Sequence, residues 1–333
     1  MPSTQTARSV GVLGTGAYLP ARFVPNDEVA PPAGVDDEWI VRKTGIRGRH
    51  WAEPDEATSD LALAAAEAAL SRAGVDAGAL SLIVVATSTP DSPQPPTATV
   101  LADRLGAPPT AAAFDLNAVC SGFVFATDLG WRVAAAAEDG HALVVGADIY
   151  SRITDPLDRR TAVLLGDGAG AVVLGPVGDG RGVLATRLLT FAEYRGLVEV
   201  PAGGSRMPAS TATLAGRQHY FLMEGRSVVE FVRKHIPPAV NSFLSENRIA
   251  PERIRHLITH QANGKLIRTL AEDLGLPEAR LHTTVERYGN TGAASVAVTL
   301  DDAARAGVLE PGDLVLLAAF GGGMSIGLAL LRW

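Results

Sequence analysis

The chain has 333 residues, 47% of them hydrophobic and 20% charged, with one cysteine and a formal net charge of −7. This is ordinary globular usage with material for a large core, in two domains or in two halves sharing one. The acidic balance argues against a general nucleic-acid binder, and a single cysteine excludes an intramolecular disulfide and fits a reducing cytosol.

Met1 to Val10 lacks an apolar signal region, so secretion is not expected. Val10 to Leu13 reads as an opening strand. Gly14-Thr15-Gly16 follows it as a dinucleotide loop would, but Leu19 takes the third glycine position and Pro20 is poorly placed for a continuing helix. Thr58 or Ser59 is expected to cap an alanine-rich helix that Gly74 ends, before the strand Leu82 to Ala86. Thr97 to Leu105 is a short helix closed by Gly106. A strand at Ala111–Leu116, a helix at Phe123–Ala137 and a strand at Ala142–Val145 come next.

Gly166-Asp167-Gly168-Ala169-Gly170 lacks the Lys-Ser/Thr of a phosphate loop and reads as a tight turn into the strand Ala169–Leu174. Beyond the polar stretch Pro201–Gly216, a helix spans Glu224–His235, and Pro237 permits a fresh helix start running to about Asn247. The strand Leu257–Thr259, a helix at Asn263–Leu274 and a small-residue helix at Ala293–Ala306 follow. Leu314 to Leu331 carries no charge and is long enough to raise the question of a membrane span. Gly321-Gly322-Gly323 interrupts it, which favours two buried strands joined by a glycine turn. The seven histidines are scattered beside one cysteine, so no metal site is expected.

This βα alternation predicts buried sheets sandwiched by helices. Leu82–Ala86, Leu143–Gly146 and Ala171–Leu174 look like counterparts of Leu257–Thr259, Leu314–Ala318 and Leu328–Leu331. A cryptic duplication with its boundary near Val177 would give an N-terminal half, 1–177, and a C-terminal half, 178–333.

Three polar residues stand at strand-to-helix junctions, where α/β folds gather catalytic groups. Cys120 falls near a helix N-terminus, where unpaired N–H groups and the helix dipole favour a thiolate. His260 follows the strand Leu257–Thr259, and Asn290 precedes the Ala293 helix. A thioester-handling thiol needs a nearby imidazole and an amide donor, close in space but distant in sequence. Singly, Cys120 fits a small core residue, His260 a satisfied core histidine and Asn290 a helix cap. Together those readings become the less economical account.

The motifs occur in a telling order: Asn117-Ala118-Val119-Cys120-Ser121-Gly122-Phe123, Gly166-Asp167-Gly168-Ala169-Gly170-Ala171, His260-Gln261-Ala262-Asn263, Gly289-Asn290-Thr291 and Phe320-Gly321-Gly322-Gly323. With Asp37-Glu38-Trp39-Ile40 and Thr44-Gly45-Ile46-Arg47, they resemble the β-ketoacyl-ACP synthase III family of the thiolase superfamily, from Gly11 to Trp333. The resemblance implies a five-layered αβαβα thiolase sandwich with the site between two pseudo-equivalent halves.

It also implies chemistry. Cys120 would take an acyl group from acyl-CoA, and malonyl carrier protein or malonyl-CoA would then condense with it after losing CO2. His260 and Asn290 would donate to the enolate oxygen, while the N–H groups of Cys120 and Gly322 form a second oxyanion hole. Trp39 and Arg159 match residues on either side of the CoA nucleotide, with Lys43 at a position often held by arginine. Asn263 matches a residue near the pantetheine arm, and Gly321 and Gly323 belong to the same substrate and CoA site. Gln94, Leu165 and Phe320 map to the acyl pocket, and Lys265 and Arg268 to carrier-protein docking. Glu272 and Asp273 depart from a basic pair there and would weaken such docking. The family pattern further implies a cytoplasmic homodimer with no cofactor, membrane or nucleic acid. The competing reading keeps Cys120 but moves the acyl group to an alcohol or amine without decarboxylation.

Overall fold

The computed structural model describes residues 9–137 and 140–333. Most of the Met1–Val10 segment, on which the expectation about a signal region rests, lies outside the described residues. Ten strands build two five-stranded sheets. The first contains β1 (Val10–Tyr18), β2 (Leu80–Ala86), β3 (Ala112–Leu116), β4 (His141–Asp148) and β5 (Gly168–Pro176). The second contains β6 (Gly182–Thr190), β7 (Ile254–Thr259), β8 (Arg280–His282), β9 (Leu314–Gly321) and β10 (Ser325–Arg332).

The first sheet runs β1-β5-β4-β2-β3 and the second β6-β10-β9-β7-β8, the same order with each number raised by five. Directions repeat as well: β2 is parallel to β3 and β4, as β7 is to β8 and β9, and the other pairs are antiparallel. The strand pairs matched by sequence therefore occupy equivalent places. A crossover helix is what parallel neighbours such as β2 and β4 require.

Seven helices matter here: α1 (Asp37–Thr44), α2 (Thr58–Ala73), α3 (Thr97–Leu105), α4 (Gly122–Ala136), α5 (Gly225–Glu246), α6 (Gly264–Leu274) and α7 (Ser295–Arg305). The alternation of strand side chains explains the layering. In β2, Leu82, Val84 and Ala86 face a central core with Phe123 and Val124 of α4 and Val296 and Leu300 of α7. Ile83 and Val85 face outward onto Leu61, Ala65 and Ala69 of α2. In β9, Val315, Leu317 and Ala319 join the central core, while Leu314, Leu316 and Ala318 pack with α5 and α6. The result is helix, sheet, helix, sheet, helix, the thiolase sandwich. The Leu314–Leu331 segment is two antiparallel strands meeting at Gly321–Ser325. Among the described residues no helix is long and apolar enough to cross a membrane.

Some expectations need correction. Neither Thr58 nor Ser59 caps α2: the cap position is Ala57, and the Asp60 carboxylate accepts the Ala57 N–H at 2.7 Å. The Thr58 hydroxyl donates to the Thr89 carbonyl, while the Ser59 N–H donates to Asp91. No fresh helix starts at Pro237. Instead α5 runs through Pro237 and Pro238, because Phe231, Val232, Ile236, Val240, Phe243 and Leu244 form one buried stripe across them. Burial of that stripe outweighs the two backbone donors lost. The helix expected from Ala293 opens as a 3₁₀ turn, Gly292–Ala294, before α7. The strand β6 had no sequence expectation.

Candidate active site

Cys120 sits on a 3₁₀ turn, Val119–Ser121, between β3 and α4. Val119 holds φ +49°, a strained conformation for a β-branched residue. The Asn117 side chain accepts the Val119 N–H at 3.1 Å and so helps hold the turn. The turn is also tied to the other half: the hydroxyls of Ser121 and Ser325 lie 2.7 Å apart, and Ser325 donates on to the Gly322 carbonyl. The turn is also approached by Gly321, where an added Cβ would come within 2.8 Å of the backbone nitrogens of Cys120 and Ser121. Only a residue without a side chain leaves that contact intact.

The thiol itself corrects the sequence reading. Helix position alone was expected to lower its pKa. Burial dominates instead and, with the Asp148 carboxylate nearby, pushes the thiol up to about 12; the Tyr150 hydroxyl acts in the opposite sense.

His260 follows β7, and its N–H donates to the Ala318 carbonyl of β9 at 3.0 Å. Its ring stands edge-on to Phe320, centroids 5.0 Å apart. Burial drives its pKa down to about 3, so the imidazole is neutral. Nδ1 lies 2.7 Å from the Ser295 hydroxyl, which accepts the Gln261 N–H at 3.4 Å. A Ser295 hydroxyl donating to Nδ1 would leave the proton of the neutral ring on Nε2.

Asn290 is held on both sides of its backbone: its N–H donates to the Leu164 carbonyl and its carbonyl accepts from Gly166. Its side-chain Oδ1 accepts the Gly292 N–H at 3.0 Å. That leaves the amide NH₂ as the donor available to the site. The loop is anchored by Asp148, at the end of β4, whose carboxylate accepts from Ala293, Ser88, Thr87 and Thr89. Burial raises the Asp148 pKa to about 6 against those bonds.

Cys120, His260 and Asn290 line one cavity of about 380 Å³, together with Lys43, Asn263, Phe320, Gly321 and Gly322. Asn263 also caps α6, accepting the Leu266 N–H at 2.9 Å. Trp39 is half-buried on α1, with the Arg159 guanidinium 6.0 Å over its ring. Neither lines the cavity; Arg160 does, bonded to Asp158 at 2.9 Å. Leu164 lines the wall, while Leu165, assigned to the acyl pocket, is turned into the core and bridges Asn290 through its backbone. Gln94 is exposed on its loop and is not part of the cavity in this single chain. Gly323 forms the turn beyond it with φ +124°. Lys265 and Arg268 are exposed on α6, and Arg268 pairs with Glu286 at 2.6 Å. Asp273, of the acidic pair, meets Arg233 at 3.0 Å.

Sequence reasoning missed Ser295, Asp148 and Tyr150, and the apolar cavity residues Val198, Phe221, Met223 and Val228. Asp148 carried one signal, a carboxylate at the end of an apolar strand. Among the described residues, no group of three or more His, Cys, Asp or Glu is placed to hold a metal ion.

Comparison with known proteins gives the geometry a family. Residues 114–191 match the profile of 3-oxoacyl-[acyl-carrier-protein] synthase III, and residues 244–333 that of its C-terminal part. The β-ketoacyl-[acyl-carrier-protein] synthase III of Rhodospirillum centenum is 44% identical over 330 residues, 98% of this chain and 99% of that protein. The chain belongs to this family of condensing enzymes. Acetoacetyl CoA synthase NphT7 of Streptomyces sp. (strain CL190) is 55% identical over 326 residues, 97% of this synthase and 98% of the relative. Among solved structures, the priming β-ketosynthase of the R1128 polyketide pathway superposes with a TM-score of 0.90 at 33% identity, covering 98% of this chain and 96% of that one. The synthase III of Aquifex aeolicus gives 0.88 at 34%, covering 97% and 100%.

Proposed function

We propose that this synthase is an acyltransferase in which Cys120 carries the acyl group through both half-reactions. In the first, the thiolate attacks the acyl-CoA carbonyl, the thioester bond to CoA breaks, and CoA leaves as its thiol after taking a proton. In the second, a malonyl thioester loses CO2 and becomes an enolate. Nε2–H of His260 and the Asn290 amide donate to the enolate oxygen. The enolate carbon then attacks the Cys120 thioester, forming the carbon–carbon bond and expelling the thiolate. The N–H groups of Cys120 and Gly322 take the oxyanion of that addition. Neither step calls for a metal or cofactor, because fixed neutral donors do the work of a Lewis acid.

The observation that carries this reading is the convergence of Cys120, a neutral His260 and Asn290 on one cavity wall. A protonated imidazole would be a mobile acid; a neutral one carrying its proton on Nε2 remains a donor throughout. Free acyl-CoA and malonyl-CoA fit best as substrates. The 55% identical relative is named for acetoacetyl CoA, a product whose acceptor half is a CoA ester. The docking helix here presents Glu272, while its Arg268 is paired with Glu286 and its Asp273 with Arg233. Trp39 and Arg159 would flank the nucleotide, with Lys43 and Asn263 along the pantetheine arm and Gly321 and Gly323 beside the thioester.

Further parts of the reading follow the same frame. The halves divide at 1–177 and 178–333, between β5 and β6. The edge position of β3 and its exposed Phe114 support pairing with its copy in a homodimer. The enzyme works in the cytoplasm.

Mass spectrometry with a reactive acyl-CoA tests the assignment. Wild type should gain one acyl mass and Cys120→Ala none. Asn290→Ala should still load but lose malonyl-dependent CO2 release by about 10²–10³-fold. Wild-type decarboxylation in that variant would overturn the condensing mechanism.

A further inference from the structure

Tyr150 follows β4 and is 1% exposed. Its ring meets Phe221 edge-on, centroids 5.4 Å apart. On another side it presses on the Asn290 loop so closely that a Cβ on Gly292 would come within 2.3 Å of it. The ring is held on two sides. Its hydroxyl is thereby fixed beside the Cys120 thiol and the Ser88 hydroxyl. Yet it is buried and makes no hydrogen bond of good geometry to either. An unpaired buried hydroxyl is costly, so a fold that keeps one in place implies a partner not present at rest. A neutral thiol is a weak acceptor, and a thiolate is a strong one.

We propose that Tyr150 is a catalytic residue that donates its hydroxyl to the Cys120 thiolate and holds the nucleophile's charge before attack. The groups that face the thiol make the need plain. The Asp148 carboxylate opposes ionisation, while the Tyr150 hydroxyl and the backbone N–H of Cys120 favour it. Burial and its negative neighbours keep the phenol protonated, so it acts as a donor and not as an acid.

The inference rests on Cys120 as the nucleophile, and its test reads the thiolate directly. Iodoacetamide alkylates the sulfur, with loss of iodide and of the thiol proton to solvent. Without the hydroxyl, one pKa unit of lost stabilisation cuts the thiolate fraction about tenfold while raising its intrinsic nucleophilicity about threefold. Tyr150→Phe should therefore alkylate about threefold more slowly at pH 7. Incorporating 3-fluorotyrosine at position 150 keeps the shape and strengthens the donor, so alkylation should be faster than in wild type. A purely structural role would leave the fluorinated protein unchanged. An unaltered rate in Tyr150→Phe, or no gain with fluorotyrosine, would overturn the proposal. If Tyr150→Phe fails to fold, the fluorinated protein decides alone. Either failure leaves acyl loading of Cys120, read separately by mass, untouched.

Discussion

The two halves share a frame and differ where their strands end. The residue after β2 is Thr87, which binds Asp148; the residue after the equivalent β7 is His260, which faces the cavity. Strand β4 ends on Asp148, whereas its counterpart β9 ends on Gly321. One half places a buried carboxylate that gathers four donors and braces the Asn290 loop. At the end of β9 the other half has a glycine, so that its backbone reaches Cys120. The duplicated strands thus supply two equivalent rims, and single residues at the strand ends divide the labour. On the proposed mechanism the first half offers a nucleophile on a strained turn, and the second offers neutral donors.

That division is best broken at the contact between Gly321 and the Cys120 turn. Gly321→Ala would place a methyl 2.8 Å from the Cys120 and Ser121 nitrogens, and no flexible side chain is there to yield. The turn must shift, and with it the Cys120 N–H. Acyl loading and condensation should both fall by about 10²–10³-fold, measured as single-turnover rates. Stability should change much less. Near-normal loading would mean that the turns are not held in mutual register.

A smaller effect sharpens the donor side. Ser295→Ala removes the hydroxyl 2.7 Å from His260 Nδ1, which on the proposed mechanism keeps the ring proton on Nε2, so the imidazole can then carry its N–H on either nitrogen. Decarboxylation should drop by about tenfold while loading is retained, because only the enolate needs the Nε2 donor. Burial also fixes the pH behaviour. His260 titrates at about 3 when folded, below its ordinary 6.5. The unfolded chain therefore binds more protons between those values. The stability His260 contributes is complete above about pH 6.5 and is lost as pH falls towards 3. Thermal melts of His260→Asn should be flatter than wild type across that range.

Much of this was legible in the chain because its signals are local. Apolar runs bounded by glycines marked the strands, and Thr97–Leu105 ends at Gly106 as read. The order of the motifs carried the family. What stayed hidden depends on tertiary packing. Pro237 read as a helix start because the stripe that carries α5 through it becomes decisive only against β9 and β10. The Cys120 thiol read as acidified because sequence shows helix position but not burial. Leu165 and Leu164 are neighbours, and only the backbone pairing with Asn290 decides which one meets the cavity. Ser295 looked like one more small residue until His260 was folded against it.

The smallest expected effect concerns a residue outside the cavity altogether. Gln94 is exposed on its loop, beyond β2 and ahead of β3, the edge strand that would pair in a dimer. In one chain it touches nothing that could sense an acyl group. Across a two-fold axis through β3, the same loop would approach the partner's acyl tunnel. Obligate interfaces of this kind bury about 2,000 Å² or more, so a change at one exposed side chain should leave the dimer intact. Gln94→Phe should then narrow the tunnel and shift preference towards short acyl-CoAs by a few-fold, read as the ratio of kcat/KM for two chain lengths. One extra or missing methylene in an apolar pocket alters discrimination by about 10–200-fold at most, and a wall residue reached through a partner should fall below that range. A monomer at micromolar concentration, or an unchanged chain-length ratio in the variant, would confine acyl selection to the residues of a single chain.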